Sequence, residues 1–85
     1  MSDGKKSWLI TGCGSGFGAL LAQSVLDMGD AVAATDIRID MLQGLTAQDP
    51  ANLLQCDIDV TNWESIDHAV KATLAHFGEI DVLVN

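Results

Sequence analysis

Thr11-Gly12-Cys13-Gly14-Ser15-Gly16-Phe17-Gly18 decides how the chain folds. Four glycines alternate with small or apolar residues. The apolar run Trp8-Leu9-Ile10 before them reads as a strand, and Leu20, Leu21, Val25 and Met28 after them recur at helical steps. A glycine turn between a strand and a helix is the context in which such a loop binds phosphate. Glycine has no Cβ, so the backbone can turn with positive φ and a ligand can come close. The following helix directs unpaired N–H groups and the positive end of its dipole at the loop, which suits a pyrophosphate.

The alternation allows two spacings. Gly14-x-Gly16-x-x-Ala19 fits the G-x-G-x-x-G/A pattern of dinucleotide binders. Thr11-Gly12-x-x-x-Gly16-x-Gly18 fits T-G-x-x-x-G-x-G. The second is preferred, because it puts its first glycine directly after the strand, where the turn must start. Neither is a Walker A loop, since no Gly-Lys-Ser/Thr follows.

Working outward, the first strand is expected over Ser7 to Thr11 and the first helix from Ser15 to Met28. Leu21, Val25 and Met28 should form its buried stripe, with Gly29 as the C′ stop. Ala31-Val32-Ala33-Ala34-Thr35 is a continuous apolar run of strand length, so both of its faces should be covered, as in a parallel sheet. A second helix is expected from Ile39 to Thr46, with Met41, Leu42 and Leu45 facing in, and Pro50 marks the break after it. Leu53 to Cys56 reads as a third strand. Thr61-Asn62-Trp63-Glu64 reads as a capping box, Thr61 at N-cap and Glu64 at N3. Ile66, Ala69, Val70, Thr73, Leu74 and Phe77 give the next helix its period, and Gly78 ends it. Ile80 to Val84 is a fourth strand. The order β-α-β-α-β-α-β implies right-handed crossovers and a parallel sheet in spatial order 3-2-1-4 with helices on both faces. Ligand is expected at the strand C-termini, where the order reverses between strands 1 and 4.

At 85 residues the chain is at most one small domain. Such a length buries roughly 60–65% of its unfolded surface, so stability should be marginal. Strand 4 is expected as an edge that leaves Val82 and Val84 exposed. The formal charge of −8, with only Lys5, Lys6, Arg38 and Lys71 as bases, argues against nucleic acid and against an anionic membrane. An anionic ligand must then be held by backbone N–H groups. Met1 to Ser7 is polar, and the apolar run after it is too short for a signal peptide or a membrane span. Cys13 and Cys56 read as small buried residues in a reducing cytoplasm. Trp8 and Trp63 read as packing residues.

Asp36 closes the second strand eighteen residues after Gly18. A carboxylate near this offset accepts hydrogen bonds from adenosine ribose hydroxyls and repels a 2′-phosphate. In Asp57-Ile58-Asp59-Val60-Thr61 the alternation turns one carboxylate towards the cleft and the other elsewhere. No further ligands cluster there, so the pair does not read as a metal site. His68 and His76 stand eight apart on one helix, too far for an i, i+4 metal pair.

Four segments resemble the short-chain dehydrogenase/reductase family across nearly the whole chain. They are Leu9 to Gly18, the acidic strand end at Asp36, Asp59-Val60-Thr61, and Gly78-Glu79-Ile80-Asp81-Val82-Leu83-Val84-Asn85. The last is similar to the start of the family's D-x-L-V-N-N-A-G segment. The glycine spacing resembles the ordinary, non-extended type. The resemblance implies a Rossmann-like domain. Gly12, Ser15, Gly16, Phe17 and Gly18 would line the pyrophosphate and ribose through backbone groups. Asp36 would select the ribose diol, Asp59 would meet the adenine amino group beside the Val60 backbone, and Asn85 would lie along the adenosine side. Phe17 stands for a commoner Ile and Gly14 for a commoner Ser or Ala, and both changes are expected to be tolerable because the roles there are backbone ones.

The family's chemistry uses a Tyr, a Lys four residues on, a Ser and an Asn, and this chain has no tyrosine. The expectation is that residues 1–85 are the N-terminal, dinucleotide-binding part of a longer oxidoreductase, without catalytic residues of their own. Its substrate would be a small alcohol or ketone, and the resemblance allows a homo-oligomeric parent. NAD is expected over NADP, because the residue after Asp36 is Ile37 rather than a base and Arg38 should point away. The alternatives are a non-catalytic nucleotide-binding or redox-sensing module and a methyltransferase. The Thr11 opening and the Asp59-Val60 segment argue against the methyltransferase.

Overall fold

The computed structural model describes residues 5–85. Strand β1 (Ser7–Ile10) leads through the glycine loop into helix α1 (Gly16–Asp27), and β2 (Ala31–Asp36) follows. Two short 3₁₀ turns, Ile39–Gly44 and Pro50–Asn52, precede β3 (Leu53–Asp57). Helix α2 (Trp63–Phe77) and β4 (Val82–Val84) complete the fold. All strand pairs are parallel and the order is β3-β2-β1-β4, as the alternation requires.

The register sorts the side chains onto two faces. Ile10 stands beside Ala34 and Val84, and Trp8 beside Val32 and Val82. The face carrying Trp8, Ile10, Val32, Ala34 and Val84 packs under Ala22, Val25 and Leu26 of α1 and under Leu42 and Leu45. The opposite face lies under α2, whose Ala69 and Thr73 are fully buried. The Thr73 hydroxyl satisfies itself on the Ala69 carbonyl at 2.7 Å, so this polar side chain enters the core without an orphaned donor.

Several local readings are corrected. The buried stripe of α1 is Ala22, Val25 and Leu26; Leu21 is half-buried and Met28 is 68% exposed. Met28 is already the C-cap, so it sits beyond the last helical turn, beside the left-handed Gly29. The expected helix from Ile39 to Thr46 is a 3₁₀ turn that stops at Gly44. Three residues per turn place Leu42 and Leu45 on one side, both buried, and leave Met41 43% exposed. Trp63 does not pack; it is 74% exposed at the first position of α2. Trp8 does pack, and its Nε1–H donates to Asp30 at 3.1 Å. On β4 it is Leu83 that is exposed, while Val82 and Val84 are half-buried. Cys56 is half-buried rather than buried.

The N-cap of α2 is also one residue later than expected. Asn62 Oδ1 accepts from the N–H groups of Glu64, at 2.9 Å, and Ser65, at 3.3 Å. Thr61 is drawn off by Asp59, whose Oδ1 accepts from both its hydroxyl and its amide. At the other end Gly78 adopts φ +87° and its N–H returns to Leu74, the left-handed stop that glycine allows without a steric cost. Asn62→Ala should therefore cost about 1 kcal/mol of stability in urea unfolding, the usual loss for an N-cap. Thr61→Ala should leave the α2 cap itself intact, and an equal or larger cost for it would contradict the assignment.

Cys13 is buried beneath the glycine loop. Its amide donates to the Thr35 carbonyl at 2.9 Å and its thiol to the Ile10 carbonyl at 3.1 Å. Burial, more than the nearby Asp36 charge, pushes this thiol up from 9.0 to about 11. At pH 8 only about one Cys13 in a thousand is then thiolate. The unfolded thiol ionises first, so this group's contribution to stability falls as pH rises from about 9 towards 11. Iodoacetamide at pH 8 should label the half-exposed Cys56 well before Cys13 in the folded chain, although burial and Asp57 raise the Cys56 thiol too. Peptide mapping that found Cys13 labelled first would contradict this packing.

Candidate functional site

The loop geometry separates the two glycine spacings. Gly12 and Gly16 have φ of +66° and +60°, a region that residues with a Cβ rarely adopt, whereas Gly14 is not among the positive-φ glycines. A Cβ on Gly18 would collide with the carbonyl oxygen of Gly12 and lie 2.8 Å from its carbon. Gly12 and Gly16 are thus required by conformation and Gly18 by space, which is the T-G-x-x-x-G-x-G set. Helix α1 consequently starts directly over the end of β1. Its N-cap Ser15 makes no side-chain cap and its first turn carries no acidic residue. The N–H groups of Gly16, Phe17 and Gly18 have no carbonyl one turn earlier within the helix to receive them. They are the donors available to an anion here.

A cleft of about 330 Å³ opens beside the loop at the carboxyl ends of β1, β2, β3 and β4. Thr11, Gly12, Asp36, Ile37, Ile58, Asp59, Val60, Thr61 and Asn85 line it. Of the residues singled out from sequence, Gly12, Asp36, Asp59, Val60 and Asn85 meet there. Ser15, Gly16, Phe17 and Gly18 are not in its wall; they form the adjacent helix start, and Phe17 is 74% exposed. Thr11, Ile37, Ile58 and Thr61 line the cleft too and were not singled out as site residues. Thr11 heads the motif, and that position was the available signal. Ile58 reaches the cleft because its N–H donates to the Asp36 carbonyl at 3.0 Å, carrying the β2–β3 ladder one step past Asp57.

Each polar side chain in the cleft has at least one defined partner. Asp36 Oδ2 accepts from the Gly14 amide at 2.9 Å and Oδ1 from the Arg38 amide at 3.1 Å. A carboxylate has about four acceptor positions, so Asp36 keeps roughly two for a ligand. The Arg38 guanidinium turns to Asp40 at 3.5 Å, on the surface. Asp59 is held below the usual carboxylate range, first by the Thr61 hydroxyl and then by the Thr61 amide. Its charge therefore persists into mildly acidic solution, where an unassisted aspartate begins to protonate. The Thr11 hydroxyl donates to Asn85 Oδ1 at 3.1 Å, and the Thr11 amide to the Val84 carbonyl at 3.0 Å, which ties the ends of β1 and β4 together.

This is a strand-end cleft with an uncapped helix N-terminus beside it, a carboxylate at the end of β2 and apolar walls at Ile37, Ile58 and Val60. Among the described residues no group of three or more His, Cys, Asp or Glu stands together as metal ligands. No described helix is long and apolar enough to cross a membrane.

Comparison with known proteins agrees with this geometry. The chain is 36% identical over 77 residues to the NADP-dependent 3-hydroxy acid dehydrogenase YdfG of Salmonella typhi, covering 91% of this chain and 31% of that protein. A crystal structure of a short-chain dehydrogenase from Streptomyces avermitilis superposes with a TM-score of 0.86 at 40% identity, over 98% of this chain and 30% of the other. The 3-ketoacyl-(acyl-carrier-protein) reductase of Brucella melitensis, solved with NADH, superposes with a TM-score of 0.83 at 32% identity, over 92% and 32%. The chain thus spans about a third of the length of the proteins it matches. Residues 6–85 match the family model described as short chain dehydrogenase, and the chain belongs to that family.

Proposed function

We propose that this chain is the NAD(H)-holding part of an oxidoreductase that moves a hydride between a nicotinamide cofactor and an alcohol or carbonyl substrate. Gly12, Ser15, Gly16, Phe17 and Gly18 offer backbone groups to the pyrophosphate and ribose. Asp36 offers its remaining lone pairs to the ribose hydroxyls, and Asp59, Val60 and Asn85 flank the adenosine side. When bound, the nicotinamide supplies the hydride chemistry; the residues of this chain bind and orient. The proton-transferring Tyr and Lys that the family uses are not among these residues, so alcohol and carbonyl chemistry is assigned to the whole protein. The cytoplasm suits an acidic chain whose two cysteines are both free.

The observation that carries the cofactor choice is the carboxylate of Asp36 in the cleft, followed by Ile37 and with the nearest guanidinium paired to Asp40. A 2′-phosphate brought here meets like charge in a partly desolvated cleft, where screening is weaker than in water. Ile37 cannot pair it. The surface ion pair of Arg38 is weak by itself, but the guanidinium would have to leave it to reach back.

In competitive titration of the whole protein, NADH should bind tighter than NADPH by ~1–3 kcal/mol, the scale of one charge-bearing hydrogen bond. Asp36→Ala with Ile37→Arg should reverse the order, by removing the repulsion and adding a fork of donors. Equal affinities, or tighter NADPH in the unmodified protein, would overturn the reading of Asp36. The 85 residues alone should oxidise no alcohol with NAD above background even where they bind the cofactor; turnover by the purified chain would overturn the division of labour proposed here.

A further inference from the structure

Asp59 is held from both sides of the connection between β3 and α2. On the sheet side, the Ile58 N–H just before it donates to the Asp36 carbonyl at 3.0 Å. On the helix side, the N–H of Asp59 itself donates to Ser65 Oγ at 2.8 Å. Successive amides are thus tied to opposite elements, β2 and α2. The remaining bonds close the turn on itself. The Asn62 N–H donates to the Asp59 carbonyl at 2.9 Å, and the Thr61 amide and hydroxyl donate to Oδ1 at 3.0 and 2.6 Å. Among the described residues nothing donates to Oδ2, and Asp59 lines the cleft. Ser65 stands in the first turn of α2, half-buried, on a helix whose Ala69 and Thr73 are fully buried under the sheet. The Asn62 cap takes the Ser65 backbone N–H, so the hydroxyl of Ser65 is left to receive the Asp59 amide.

We infer that Ser65 is a positioning residue for recognition of the adenine base, acting through Asp59; this rests on the reading of Asp59 as the acceptor for the adenine amino group. The bonds from Thr61 and Asn62 to Asp59 lie inside the turn and travel with it. The Asn62 cap fixes the far end of that turn to α2, and the Ser65 bond fixes the near end, where Asp59 stands. Without the Ser65 hydroxyl the Asp59 amide turns to water, and the direction in which Oδ2 meets a base is no longer set. An amino group on the purine donates to that oxygen. A carbonyl oxygen at the same place would face it acceptor against acceptor. A site built around such a donor discriminates against the analogue that lacks it, and the discrimination depends on alignment. The aim of Asp59 therefore decides how sharply a 6-aminopurine is told from a 6-oxopurine, and Ser65 sets that aim.

The test compares dissociation constants of NADH and of reduced nicotinamide hypoxanthine dinucleotide, which carries an oxygen in place of the adenine amino group. The proteins are the unmodified whole protein, Asp59→Ala, Ser65→Ala and Ser65→Thr. Alanine suits a helix, and the Asn62 cap takes only the backbone N–H of residue 65, so Ser65→Ala leaves α2 its cap. The hypoxanthine-to-adenine ratio of dissociation constants should exceed one in the unmodified protein. It should fall about fivefold in Ser65→Ala, the scale of one ordinary hydrogen bond lost, and stay near its first value in Ser65→Thr, which keeps a hydroxyl. Loosening that is merely structural weakens both dinucleotides together and leaves the ratio in place, which would overturn the proposal, as would a threonine that behaves like alanine. If Asp59→Ala leaves the ratio unchanged, the reading of Asp59 fails and the proposal with it; if Asp59→Ala lowers it and Ser65→Ala does not, that reading stands and the role of Ser65 fails. Should Ser65→Ala not fold, hydrogen exchange of the Asp59 amide is followed by NMR in the unmodified protein. Slow exchange supports the tie to Ser65, and exchange at the rate of an open amide overturns it.

Discussion

The backbone of Gly18 lies against the carbonyl of Gly12, and the ligand end of the sheet is built on that approach. Because no Cβ intervenes, α1 begins directly above the end of β1 rather than after a wider loop. Cys13 is then folded underneath, its amide on the Thr35 carbonyl of β2. The Ile10 carbonyl, last in β1, receives both the Thr35 hydroxyl and the Cys13 thiol. These contacts fasten the loop to two strands at once. They also carry Gly14 across to β2, where its amide meets Asp36. A larger residue at 18 would lift the helix start and loosen every one of these contacts together.

The same cleft faces an electrostatic problem. The chain carries a formal charge of −8, and two of its carboxylates line the cleft proposed to take an anionic cofactor. Its four basic residues do not line that cleft. The fold answers with backbone donors. Asp36 is taken up by the amides of Gly14 and Arg38, and Asp59 by the amide and hydroxyl of Thr61. Each carboxylate is thereby partly neutralised by oriented dipoles, and the two bonds from Thr61 hold Asp59 ionised. The uncapped start of α1 stands at a separate point beside the cleft, so its positive end is not spent on a neighbouring side chain. Donors and acceptors are thereby segregated along the loop, which is the arrangement the proposed diol and phosphate sites require.

What was legible in the sequence, and what was not, divides along the range of the interactions. The sheet order followed from apolar runs alternating with helical periods, since those patterns report which faces are covered. The spacing of Gly12, Gly16 and Gly18 pointed to the loop, because backbone conformation and close approach leave glycine as nearly the sole choice. Asp36, Asp59, Val60 and Asn85 came together as strand-end positions must. The errors lie where two local options differ little in energy. Thr61 and Asn62 can both cap a helix, and the outcome turned on Asp59, two residues back, claiming Thr61. Ile39 to Gly44 has a helical pattern, but with Gly44 and Pro50 close behind, a tight turn that buries Leu42 and Leu45 prevails over a longer helix. Met28 and Trp63 stand at helix ends, where periodicity no longer predicts burial. The tight space around Gly14 was not legible, because it comes from Asp36 and Met41, both distant in sequence.

The ends of β1 and β4 show how one pair of residues can divide two environments. Thr11 and Asn85 line the polar cleft, and they also line an apolar groove formed with Leu9, Ile66, Val70 and Leu83 on the face that carries α2. Ile58 and Val60 are common to both. The strand period explains this: residues just past the last ladder bond have one neighbour on each face of the sheet. Between the two environments lies the bond from the Thr11 hydroxyl to Asn85 Oδ1. With an apolar residue at 11, Asn85 would lose that partner at the boundary and its amide would be free to turn into either space. A threonine keeps the boundary polar through its hydroxyl. The first residue of the glycine motif thus has a physical duty of its own, separate from the turn that follows it: it keeps the β1 and β4 ends in register, so that the carboxylates of β2 and the β3–α2 connection face a wall of fixed position.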